Sequence, residues 1–299
     1  MIDHLIERIE VLGAPVVVGL DPTLEMIPGR IRQGDSFEAI SSAMFEFNRE
    51  IIDAVYDLVP AVKPQIAMYE RFGADGLWAY ADTAAYARSK GLLVIGDIKR
   101  GDISSTAEAY AAHIGGTEAG GQRLFPWPVD AVTLNPYFGK DSLTPYLDIC
   151  AAQEKGIFLL VKTSNPGSGD LQDLRLESGK LVYEHVADLV SEWGRDFVGK
   201  HGYSKVGAVA GATFPEQGRE MRKRMPHTFF LVPGYGAQGG SGKDLQGFFD
   251  ADGSGCIVNS SRGITAAWKK DKRFGEHGVG DAAREAVEAM IKDLREAWS

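Results

Sequence analysis

The chain has few cysteines, no excess of positive charge and no long apolar run. Of its 299 residues only Cys150 and Cys256 are cysteines. Neither sits in a C-x-x-C or other metal-ligand spacing, and both lie among apolar neighbours. They are expected to be small core residues in a reducing compartment. Acidic side chains outnumber basic ones, 41 to 32, for a formal net charge of -9. That balance disfavours non-specific binding to nucleic acid or to an anionic membrane, but it allows a local basic pocket for a small anion. No segment is apolar for the length a bilayer demands. The start, Met1-Ile2-Asp3-His4-Leu5-Ile6-Glu7, lacks the basic flank and apolar stretch of a signal peptide. The expectation is a cytoplasmic protein without membrane or nucleic-acid partners. The six histidines (His4, His113, His185, His201, His227, His277) do not pair at metal spacing, and none falls at an expected strand end. H-E-x-x-H, a P-loop and a nucleophile elbow are also missing, so metal- or histidine-based catalysis is not indicated.

Hydrophobic residues make up 44% of the chain. That suffices for one large core, as two modest domains or as one α/β barrel. Short apolar strands alternate with helical patterns from end to end. Eight strands are expected, over 16–21, 61–66, 92–99, 131–135, 157–164, 206–213, 229–233 and 256–261. Helices are expected over 36–58, 75–90, 104–115, 143–153, 180–199, 215–225 and 280–298, with a short one near 245–249. This order points to the α/β class and to a single (β/α)8 barrel, a TIM barrel, spanning 1–299 with its active site at the C-terminal ends of the strands. The runner-up is a doubly wound open sheet. Its usual G-x-G-x-x-G after the first strand is absent, because that strand ends Gly19-Leu20-Asp21-Pro22. Long loops over 165–179 and 235–244 both follow strands and belong to the site face.

The densest chemistry lies in Asp97-Ile98-Lys99-Arg100-Gly101-Asp102-Ile103-Ser104-Ser105-Thr106. Strand side chains alternate, so Asp97 and Lys99 point the same way, and Asp102 follows at a turn where it can close on the same lysine. An ammonium held between carboxylates at a buried strand end suits proton delivery to carbon; the plainer reading is a surface ion pair. Lys63 and Gln65 share a face of the second strand. Lys63 is either a structural charge tied to Asp97 or Asp21, or part of an alternating Lys-Asp-Lys-Asp array. Asp21, Asp97 and Asp102 can also hold a magnesium ion, which two nearby lysines oppose. Asn135, Ser164 and Thr213 end the fourth, fifth and sixth strands. Ser164 either binds a planar amide edge or simply shapes a turn, and Tyr137 and Phe138 either stack on a ligand or pack. After the seventh strand comes Pro233-Gly234-Tyr235-Gly236-Ala237-Gln238-Gly239-Gly240, and after the eighth Ser261-Arg262-Gly263. Barrels often hold phosphate with these two loops: glycines admit backbone N–H groups to an anion, Arg262 adds a bidentate contact and Gln238 an amide donor.

These segments together resemble orotidine 5'-phosphate decarboxylase: Asp97-x-Lys99-x-x-Asp102-Ile103-x-x-Thr106, Gly19-Leu20-Asp21-Pro22, Val62-Lys63-Pro64, Lys162-Thr163-Ser164-Asn165-Pro166, the glutamine-containing glycine loop and Asn259-Ser260-Ser261-Arg262-Gly263. The longer loops are similar to those of the bacterial branch with larger chains. D-x-K-x-x-D alone is shared with sugar-phosphate enzymes; the glutamine loop and the S-N-P segment make the resemblance specific. It implies conversion of orotidine 5'-monophosphate to UMP and CO2 in pyrimidine synthesis, without metal or cofactor. By similarity Lys99 protonates C6 of the pyrimidine, Asp97 and Asp102 position it, and Lys63 completes the charge array. Asp21, Lys63 and Thr106 bind ribose hydroxyls, and Ser164 and Gln238 read the pyrimidine. Pro233, Ser261 and Arg262 border the phosphate, with Arg262 as its clamp. A homodimer is implied, with Asp102 and Thr106 crossing into the partner's site. The competing readings are a magnesium-dependent sugar-phosphate lyase or aldolase on the same barrel, and a non-catalytic UMP-binding protein.

Overall fold

The computed structural model describes residues 1–212, 215–236 and 240–297. Its strands are β1 (Val16–Leu20), β2 (Ala61–Pro64), β3 (Leu93–Arg100), β4 (Thr117–Ala119), β5 (Gln122–Leu124), β6 (Ala131–Leu134), β7 (Gly156–Lys162), β8 (Ser204–Ala210), β9 (Thr228–Pro233) and β10 (Cys256–Ser260). All but β4 and β5 form a closed parallel barrel in the order β1-β10-β9-β8-β7-β6-β3-β2. Each of the eight strands expected from the sequence has its counterpart there. Strict alternation builds two cores. Val17, Ala61, Leu93, Ile95, Ala131, Phe158, Phe229 and Ile257 face the barrel interior, whereas Val16, Val18, Val62, Val94, Val132, Val206 and Val258 face the surrounding helices.

The helical expectations hold with shifted ends. Phe37–Val55 starts after Ser36, whose side chain accepts from the Ala39 N–H and caps the helix. Gly73–Ser89, Ser104–Gly115, Lys140–Ala152, Val182–Trp193, Pro215–Arg224 and Val279–Glu296 follow. The helix expected to run to 199 stops at Trp193, because Gly194 intervenes and a 3-10 turn, Arg195–Phe197, takes over. Besides several one-turn helices, the N-terminal helix and a hairpin lie outside the sequence expectation. Helix Ile2–Leu12 places Ile2, Leu5 and Ile6 in the same cluster as the barrel's interior residues and plugs its lower end. Strands β4 and β5 form an exposed antiparallel hairpin. Its two-residue turn is Gly120-Gly121, both with positive φ (59° and 75°), as a tight hairpin turn requires.

Among the described residues no helix is long and apolar enough to cross a membrane.

Candidate active site

The alternation that fills the lower barrel with apolar side chains places polar ones above them. Two residues beyond Ala61 comes Lys63, two beyond Ile95 comes Asp97, and two beyond Ala131 comes Thr133. These three line a cleft of about 330 Å³ at the C-terminal ends of the strands, with Lys99, Leu160, Thr163, Ser164, Asn165, Val209, Leu231 and Pro233. Asp97 is its electrostatic centre. Oδ2 accepts from Lys63 Nζ at 2.8 Å, and Oδ1 accepts from Lys99 Nζ at 2.5 Å. Burial works to raise the Asp97 pKa, but the two ammonium groups outweigh it and hold the carboxyl far below the usual carboxylate range. Lys63 is 4% exposed. Burial there favours the neutral amine; Asp97 and then Asp21 overcome it and leave the pKa raised. Of the two carboxylates that the sequence offered it, Lys63 makes its ion pair with Asp97 and feels Asp21 only through the field.

Lys99 departs from simple alternation. Its φ is +45°, rare for a residue with a side chain. The pairing of β3 with β6 shifts register between Gly96 and Arg100. The side chain still reaches Asp97, and it is 43% exposed, so its ammonium faces the mouth rather than the core.

Asp21 follows β1. Its Oδ1 is buried and has no hydrogen-bond partner among the described residues. The strand end beneath it is fixed by Tyr69, whose hydroxyl donates to Leu20 O at 3.0 Å and accepts from Asn48 Nδ2 at 2.8 Å. An acceptor held this way without a donor is suited to a ligand hydroxyl.

Ser164 sits on a clamped loop. Gln172 accepts from the Thr163 N–H at 2.9 Å and donates to Thr163 Oγ1 at 2.8 Å. Just before it, buried Lys162 donates to both oxygens of Asp173 at 2.8 and 2.9 Å. Part of the expected long loop is therefore the short helix Gly169–Gln172, tied back to the β7 end. On the far side of the mouth, Tyr235 Oη and the Gly242 N–H both donate to Asp293 Oδ2, which pins both ends of the glycine loop to helix Val279–Glu296. Arg262 opens the short helix Arg262–Thr265 after β10, exposed, without an ion-pair partner among the described residues. Ser261 Oγ accepts a 3.4 Å contact from Asn259 Nδ2 and crowds Gly19, where a Cβ would meet it at 1.9 Å.

Gln238 and Thr213 lie outside the described residues. Asp102 requires a correction within one chain. Its Oδ1 accepts from the Ile103 N–H at 2.8 Å, and the Lys99 ammonium is paired with Asp97 instead. Thr106 is exposed on the helix that follows. Asn135 caps a 3-10 turn by accepting from the Tyr137 N–H.

A family model described as orotidine 5'-phosphate decarboxylase / HUMPS family matches residues 14–273. The chain belongs to that family. A relative from Rhodopirellula baltica named orotidine 5'-phosphate decarboxylase is 46% identical over 290 residues, covering 95% of each chain. One from Petrotoga mobilis with the same name is 46% identical over 297 residues, covering 99% of this chain and 98% of its own. The solved structure of Leishmania donovani OMP decarboxylase superposes with a TM-score of 0.77 at 31% identity, covering 99% of this chain and 98% of that one. Against this family background the cleft also contains residues that the motifs do not mark: Thr133, Leu160, Val209 and Leu231. Their signal is positional, since each sits in register with an interior strand position, and Leu160, Val209 and Leu231 give one side of the cleft an apolar wall.

Proposed function

We propose that this chain is an orotidine 5'-phosphate decarboxylase, a carbon–carbon lyase that converts orotidine 5'-monophosphate to UMP and CO2 in pyrimidine biosynthesis. The observation that carries the mechanism is the Lys63–Asp97–Lys99 array beside an apolar wall. Cleavage of the bond from C6 to the carboxylate leaves an electron pair in the plane of the ring, where the π system cannot delocalise it. The Lys99 ammonium stabilises that charge as it develops and transfers a proton to C6; solvent then reprotonates the lysine. Asp97 holds the Lys99 ammonium in place and lies beside the departing carboxylate. Both oxygens of Asp97 are engaged by ammonium groups, so the array is complete without a metal or cofactor.

The remaining roles follow the mouth. Asp21 and Lys63 take ribose hydroxyls, a reading supported by the unpartnered Asp21 Oδ1. Ser164 and Gln238 read the pyrimidine edge. Arg262, with Pro233 and Ser261 beside it, clamps the phosphate, supported by its exposure and free guanidinium among the described residues. Phosphate binding remote from C6 lets binding energy assist the chemistry. Asp102 and Thr106 act in the site of a second copy. Exposed Ile103 stands between them in the chain, and Tyr110, Tyr137 and Phe138 are exposed as well, apolar area that a second copy would cover. Residues 1–299 act as one barrel domain, and the setting is the cytoplasm.

The test is loss of orotidine 5'-monophosphate absorbance with EDTA present throughout. Rapid formation of UMP is expected. A folded protein that binds UMP without turnover would instead be a nucleotide-binding protein. Turnover of a sugar phosphate that EDTA abolishes would mark the magnesium-dependent alternative.

A further inference from the structure

The left-handed backbone at Lys99 needs a cause. Among the described residues only Lys99 and Ser104 combine a side chain with positive φ. Such a conformation costs about 1–3 kcal/mol and persists only where surroundings fix it. At Lys99 the surrounding group is one hydroxyl. Thr133 Oγ1 accepts from the Lys99 N–H at 3.1 Å and donates to Asp97 Oδ1 at 2.8 Å. The same Oδ1 accepts from Lys99 Nζ. Lys99 is thus held at both ends, its ammonium by Asp97 and its backbone by Thr133, and Thr133 links the two. The hydroxyl has a single proton. Donating it to Asp97 leaves its lone pairs for the Lys99 N–H, so both contacts depend on the same orientation. Thr133 is 1% exposed, so solvent does not compete for its hydroxyl.

We infer that Thr133 is a positioning residue for the proton donor, setting both the backbone of Lys99 and the rotamer of Asp97 through one hydroxyl. The inference rests on the reading of Lys99 as that donor. Without the hydroxyl, Lys99 N–H loses its acceptor and Asp97 Oδ1 loses one of its two donors. The ammonium then wanders by a fraction of an ångström relative to C6, while the ribose and phosphate contacts stay in place. Small misplacements of this kind cost up to about 100-fold in rate.

The experiment compares Thr133→Val, nearly isosteric and lacking only the hydroxyl, with Thr133→Ser, which keeps it. Expected for Thr133→Val is a fall in kcat of about 10- to 100-fold, with KM for orotidine 5'-monophosphate and the UMP dissociation constant within about threefold of the parent. Thr133→Ser should recover kcat to within about threefold. A role confined to packing would lower both variants in proportion to their loss of Tm, and a role in substrate binding would raise KM; either result overturns the inference. If Thr133→Val does not fold, Thr133→Ala carries the same expectation. Lys99→Ala is measured alongside. Were it to retain parental turnover, the reading of Lys99 itself would fail. An inactive Lys99→Ala beside a fully active Thr133→Val would refute the role of Thr133 alone.

Discussion

Replacing Lys63 by methionine tests the charge array through stability as well as rate. Methionine matches the length of the buried stem and removes the ammonium. Asp97 Oδ2 then loses its 2.8 Å partner inside a site where Asp97 is only 5% exposed. Breaking a buried ion pair from one side costs about 3–5 kcal/mol, because the remaining charge is stranded. Unfolding entropy of about 2.1 cal/mol/K per residue near 60 °C gives about 0.6 kcal/mol/K for a chain of this length. The expected loss in Tm at pH 7.5 is therefore about 5–8 °C.

The pH dependence gives this prediction its sign. In the parent protein the lysines hold the Asp97 pKa below its unfolded value. That stabilisation is complete above the unfolded pKa, near 4, and is lost as pH falls through the folded one. In Lys63→Met the folded pKa of Asp97 moves up, since burial remains and one of its two ammonium partners is gone. Asp97 in the variant then relieves its stranded charge by binding a proton at mildly acidic pH, where the parent does not. The gap in Tm between parent and variant must narrow from pH 7.5 to pH 4.5. Thermal unfolding by circular dichroism at both pH values reads it directly. A gap under about 2 °C at neutral pH, or one equal at the two pH values, would show that the Lys63–Asp97 pair does not dominate the local energetics. Asp97→Asn in the Lys63→Met background supplies the control: the neutral amide has no stranded charge, so the double variant should be no less stable than Lys63→Met alone.

Other predictions probe the rest of the mouth. Lys99→Ala should abolish decarboxylation, measured by loss of substrate absorbance, while UMP still binds in calorimetry; near-parental turnover would remove Lys99 from its role. Arg262→Ala should chiefly raise KM, since a phosphate clamp acts in ground-state binding, and a large fall in kcat at unchanged KM would contradict it. Gly211→Ala should raise KM as well: a Cβ there would sit 2.8 Å from Ser164 N, backbone that cannot rotate away, and an unchanged KM would mean that Ser164 does not read the substrate. His113 stacks on Trp127 with ring centroids 5.3 Å apart, and burial, with Arg100 nearby, lowers its pKa to about 3. The unfolded chain takes up that proton near pH 6.5, so His113 destabilises the fold progressively as pH falls from about 6.5 toward 3, by at most about 1.4 kcal/mol per pH unit. Urea midpoints of His113→Gln should fall less steeply than the parent's across that range, and parallel curves would refute the assignment.

Period-two alternation is the part of this molecule most fully written in its sequence. It puts Lys63 and Asp97 on the barrel's inner side above Ala61 and Ile95 from strand assignment alone; Thr133, which the motifs do not mark, follows the same period above Ala131. Ile2, Leu5, Ile6 and Ile9 likewise carry helical spacing, but nothing local tells that this helix plugs a barrel; that follows only once eight strands have closed above it. The turn after Lys99 lies beyond alternation altogether. A left-handed lysine is unfavourable by propensity, so no single-residue rule selects it, and within one chain Asp102 Oδ1 accepts from the Ile103 N–H while Lys99 pairs with Asp97.

The departure at Lys99 has a consequence for how the site divides its labour. A regular strand would have stacked Lys99 on the same face as Asp97, one alternation step nearer the mouth. The left-handed turn lifts its stem toward solvent while the ammonium stays on Asp97 Oδ1. Lys63, on an undistorted strand, remains buried and keeps Asp97 ionised from the other side. One carboxylate is therefore served by two lysines in different environments, a buried one and a half-exposed one at the mouth, and on the proposed reading it is the second that hands its proton to the substrate.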